Sequence, residues 1–124
     1  MGYLIVFLGG GLGAALRHGV NLASARLLGT AFPFGTLTVN VLGSAIMGAL
    51  AAYFAFKGDA TQHWRLFFTT GILGGFTTFS AFSLDVAVLY ERGQLGPAAL
   101  YVVASVALSL LGLFAGLAVV RNFT

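Results

Sequence analysis

Charge is what this sequence has least of. Only 7% of its 124 residues are Asp, Glu, Lys or Arg, against about 25% in an ordinary soluble domain. So few charges cannot cover a water-facing surface, whereas a lipid-facing surface needs none. Cysteine is absent, which excludes a disulfide framework and a thiolate metal site. No Asp or Glu precedes Asp59. The net charge of +3 is scattered along the chain, so there is no basic patch of the kind that binds nucleic acid. No basic segment precedes the first apolar run, and the N-terminus does not read as a signal peptide.

What the chain does have is apolar length. It is 59% hydrophobic and carries 18 glycines, and glycine is more frequent in membrane helices than in soluble ones. Crossing a bilayer takes roughly 20 apolar helical residues. Four such stretches fit, over about residues 3–28, 34–56, 66–90 and 96–120. The fold expected is therefore an all-α membrane protein, one domain of four transmembrane helices over residues 1–124. Pro33 opens the second span and Pro97 lies in the first turn of the fourth, where a missing N–H costs little. The connections, 29–33, 57–65 and 91–95, are too short for a soluble domain.

The third span contains Gly74-Gly75-Phe76-Thr77-Thr78-Phe79-Ser80-Ala81-Phe82-Ser83. Paired glycines and adjacent threonines are poor helix formers, and a break is expected between Gly74 and Thr78. Such breaks persist in membranes only where protein or water satisfies the freed backbone groups. They often coordinate ions with carbonyls and half-helix ends; the alternative is a glycine-lined packing contact.

Basic residues fall almost evenly on the two sides of the four spans. Lys57, Arg65 and Arg121 share one side, and Arg26 and Arg92 lie on the other, with Arg17 nearer the membrane interior. The bias that normally sets orientation is missing, so insertion in both directions and an antiparallel dimer are expected; the alternative is that a small bias or a partner fixes one orientation.

Polar residues recur at helical spacing. Thr36, Asn40 and Ser44 share a face of the second span, Tyr101, Ser105 and Ser109 a face of the fourth, and Thr77, Ser80 and Ser83 one of the third. They are neutral donors suited to an anion, although interhelical hydrogen bonding explains single Ser and Thr residues equally well. Asn40 is harder to leave unpaired. Arg17 is placed to draw anions into a vestibule or to snorkel to headgroups. Asp85 lies toward the end of its span, and His18 reads as a packing or capping residue. Phe79 and Phe82 have positive ring edges, yet in an apolar helix such residues are usually core or lipid contacts. The Gly9–Gly13 and Gly112–Gly116 pairs have the spacing of close helix contacts.

Three blocks in order, Gly9-Gly10-Gly11-Leu12-Gly13-Ala14-Ala15-Leu16-Arg17, Gly35-Thr36-Leu37-Thr38-Val39-Asn40-Val41-Leu42-Gly43, and the Gly74–Ser83 segment, resemble the Fluc or CrcB fluoride channel family across essentially the whole chain. The resemblance implies a dual-topology homodimer with two fluoride pathways, in which carbonyls of Gly74 and Thr77 hold a central structural sodium ion. It also implies that Phe79 and Phe82 point ring edges at fluoride, that Asn40 donates to it, and that Ser80 and the Tyr101, Ser105, Ser109 stripe belong to a polar track. Thr36 joins the same pathway. Passive export of cytoplasmic fluoride across the cell membrane, the inner membrane if the source is Gram-negative, and resistance to it, would follow. Three departures stand out: His18 where an aromatic often follows the arginine, Ala81 for a frequent Thr, and Asp85 for a common Glu.

Other classes fit less well. A small proton-coupled multidrug exporter needs a carboxylate in its first span, and none is present. A membrane scaffold without transport stays open. No Ser/His spacing supports a nucleophile and its base, and no His/Glu cluster suggests a catalytic metal, so an enzyme is not expected.

Overall fold

The computed structural model of the chain describes residues 1–57 and 62–123, and of Lys57 the backbone alone. The expected connection over 57–65, and the place of Lys57 in the charge balance, therefore fall largely outside the described residues. Among the described residues, four segments are long and apolar enough to cross a membrane: Gly2–Leu28, Phe34–Phe56, Gln62–Glu91 and Leu95–Asn122. Helix α1 is Gly2–Leu28 and α2 is Phe34–Lys57. The third span is composite: α3 (Gln62–Arg65), a π-helical stretch (Leu66–Leu73), α4 (Gly74–Phe76), two extended residues, and α5 (Phe79–Glu91). Helix α6 is Leu95–Asn122.

The helix ends follow local chemistry. Gly29 ends α1 with φ 80° and ψ −174°, a region that only glycine enters cheaply. Beyond α5, Gly93 has φ 77°. Its N–H donates to the Tyr90 carbonyl at 3.0 Å, and the Gln94 N–H to the Leu89 carbonyl at 3.0 Å. This is the Schellman pairing that satisfies the last carbonyls of a helix.

Helix α2 packs along α6, and α1 packs along the first half of the third span. Both seams depend on glycine. A Cβ on Gly48 of α2 would stand 2.0 Å from the Leu113 carbonyl oxygen, and one on Gly116 of α6 2.1 Å from that of Ala45. Gly13 of α1 is as tight against the Ile72 carbonyl, at 2.0 Å, and Gly9 meets the backbone of Phe67 and Gly71. Both small-xxx-small pairs thus pack backbone on backbone, where dispersion and not hydrophobic exclusion holds helices together in lipid. Two apolar clusters fill the space between: Val39, Leu73 and Phe76, and Leu89, Ala98 and Tyr101.

Candidate functional site

The break in the third span lies at Thr77 (φ −86°, ψ 156°) and Thr78 (φ −153°, ψ 119°), inside the expected interval. Its hydrogen bonds can be followed group by group. An unbroken helix would send the Thr78 N–H to the Gly74 carbonyl; here it donates to Asn40 Oδ1 at 2.8 Å. Asn40 Nδ2 donates in return to the Thr78 carbonyl at 3.0 Å. The Ala81 N–H, which would have met the Thr77 carbonyl, donates to Thr78 Oγ1 at 3.1 Å, an N-cap on α5. The Gly75 carbonyl accepts from Arg17 Nε at 3.1 Å. Leu73 still accepts from the Thr77 N–H at 3.0 Å and from Thr77 Oγ1 at 2.9 Å. The carbonyls of Gly74 and Thr77 are thereby released from the helical ladder.

A groove of about 380 Å³ opens beside the break. Asn40 and Ser44 of α2 form one wall, Thr77, Thr78, Phe79 and Phe82 another, and Ser105 and Ser109 of α6 a third. Ser105 Oγ is buried there with no hydrogen-bond partner among the described residues. The Phe79 and Phe82 rings lie 5.5 Å apart, and Phe82 lies 5.2 Å from the ring of Tyr101. Tyr101 is fully buried, and its hydroxyl donates to Asp85 Oδ2 at 3.0 Å. Thr36 is buried beside that hydroxyl. The groove is open on one side, where Phe79 is 77% exposed.

A model of the CrcB-like protein family, described as camphor resistance (CrcB), matches residues 4–117. This chain belongs to the CrcB family. Its curated relatives include "Fluoride-specific ion channel FluC 2" of Nitrobacter hamburgensis, 64% identical over 124 residues and over the full length of both chains. "Fluoride-specific ion channel FluC" of Rhodopseudomonas palustris strain BisB5 is 66% identical over the same full length. The CrcB family is thus one of multi-pass membrane channels and not of enzymes, and four candidate spans fit that place.

Within this CrcB chain the expected site residues do not all converge. Asn40, Phe79, Phe82, Ser105 and Ser109 meet at the groove. Tyr101 and Thr36 lie past Phe82, in a separate polar cluster around Asp85. Ser80 is exposed, with its Oγ 3.3 Å from Thr78 Oγ1. The expected face of Thr77, Ser80 and Ser83 does not form, because the break falls between its first two members; Ser83 Oγ instead donates back to the Phe79 carbonyl at 3.0 Å. Arg17 is half-buried against the break. Sequence reasoning missed Thr78, whose N–H, carbonyl and hydroxyl are all engaged; a Thr three residues before the Ala81 N–H, with helix following, is the N-cap signal that would have found it. It also missed the π-helical stretch Leu66–Leu73, whose side-chain spacing gives no sign of the wider turn.

Proposed function

We propose that this chain is a fluoride-selective channel that lets cytoplasmic fluoride leave passively and so confers fluoride resistance. The observation that carries this reading is the groove: neutral donors and phenylalanine rings face one space with no acidic side chain in its lining among the described residues. Removing water from a small anion is expensive unless the site replaces it. Asn40 has one amide N–H left after its bond to Thr78, and the Ser105 hydroxyl has no partner among the described residues. Phe79 and Phe82 offer positive ring edges. Several such weak contacts admit an ion and still release it. The charge of Arg17 beside the break favours anions nearby. Full-length relatives named as fluoride-specific channels support the choice of ion.

The working unit in this reading is an antiparallel pair of chains, each closing the open side of its partner's groove. The even placement of basic residues supports it, as does the exposure of Phe79 and Gly74. The released carbonyls of Gly74 and Thr77 are oxygen ligands of the type hard cations take. Two sets of them, one from each chain, would hold a sodium ion, which would supply fixed positive potential and a bond between the two breaks.

The test is efflux from liposomes carrying the purified protein, followed with a fluoride electrode, with chloride in parallel. Rapid fluoride release without chloride release is the expected result. A well-folded protein that releases neither would demote it to a scaffold.

A further inference from the structure

We propose that Arg17 is a positioning residue that clamps the break of the third span from the α1 side. At the break the Gly75 carbonyl has lost the Phe79 N–H that an unbroken helix would supply, and Arg17 Nε takes that place at 3.1 Å. The contact joins residues 58 apart in sequence. It continues a seam in which α1 presents Gly10 and Gly13: a Cβ on Gly75 would lie 2.3 Å from the Gly10 carbonyl oxygen, and one on Gly13 2.9 Å from the Phe76 nitrogen. Gly10, Gly13 and Arg17 are one helical face, so the two glycines bring the backbones together and Arg17 delivers the missing donor at the end of the seam.

Asn40 holds the other side of the break, bonding both polar backbone groups of Thr78 from α2. Gly74 and Thr77, whose carbonyls leave the ladder, are the residues just before the two that these side chains pin, Gly75 and Thr78. An ionised group within a span is costly and persists where it has a partner; the carbonyl of Gly75 is such a partner. This role is distinct from attracting anions by charge. Its consequence for ion flux rests on the channel reading above; the clamp itself does not.

The two roles separate by substitution. Arg17→Gln removes the charge but places an amide N–H donor as many bonds from Cα as Nε. Arg17→Met removes both charge and donor. The full-length protein in nanodiscs is compared by amide hydrogen exchange over residues 74–83, with α2 as internal reference, and by fluoride efflux. Arg17→Met should speed exchange over 74–83 by about tenfold or more, the loss of one charge-assisted hydrogen bond. Arg17→Gln should speed it clearly less than Arg17→Met, since a neutral donor keeps about half of that bond. Efflux should fall further in Arg17→Met than in Arg17→Gln. Unchanged exchange in a folded Arg17→Met protein would overturn the clamp, as would equal acceleration in both variants. If Arg17→Met does not fold, Arg17→Gln decides: a protected break upholds the clamp, and an unprotected one overturns it. A parent protein that moves no fluoride while Arg17→Met still loosens the break sinks the channel reading and upholds the clamp.

Discussion

Asn40 shows how one side chain can serve backbone and ligand together. Its carbonyl oxygen and one amide N–H hold Thr78, which leaves one N–H for an ion. Asn40→Leu removes both bonds and strands two polar backbone groups, at a cost of about 1–3 kcal/mol each. It should lower the unfolding temperature of the purified protein and abolish efflux together. Phe82 differs, because it offers ring edges and packing with no hydrogen bond. Phe82→Ile keeps an apolar side chain against Tyr101 but removes the ring. Fluoride efflux should drop by about tenfold or more, while size-exclusion profile and thermal stability stay near those of the parent. Undiminished efflux in that variant would remove Phe82 from the pathway.

At the scale of the elements, the third span does most to set the site. Its π-helical stretch carries Gly71 and Ile72 against Gly9 and Gly13 of α1, and π-helical turns concentrate at functional places in other proteins. The break then follows within one turn. On the other side of the groove, the α2–α6 seam fixes where Asn40 and Ser105 stand. Gly48→Ala or Gly116→Ala must part these helices, because a Cβ would strike a backbone carbonyl. Each should destabilise by about 1–3 kcal/mol, read as a lower unfolding temperature. Gly96→Ala, where a Cβ meets nothing within 4 Å, should leave stability unchanged.

For the whole molecule, orientation is the property that the charges leave balanced. The reading of an antiparallel pair predicts that a biased chain fails alone. Three lysines added after Asn122 join Arg121 and shift the balance toward one orientation. Such a chain should lose efflux, and co-expression with an oppositely biased chain should restore it. Efflux from the biased chain alone, with one orientation verified by labelling, would contradict the antiparallel pair.

The sequence by itself determined the spans, the glycine seams and the interval of the break, because each follows from local composition: apolar length, small residues at helical spacing, and poor helix formers in a row. The groove was legible in part, since Asn40, Ser105 and Ser109 lie on polar faces that spacing reveals, whereas Phe79 and Phe82 read as core or lipid contacts until the family resemblance singled them out. Tertiary structure decided the rest. That Asn40 bonds Thr78, 38 residues away, and Arg17 bonds Gly75, 58 away, depends on how helices cross. The expected stripe of Thr77, Ser80 and Ser83 dissolved for the same reason: helical spacing presumes a continuous helix, and the donors from α1 and α2 stabilise one that is broken.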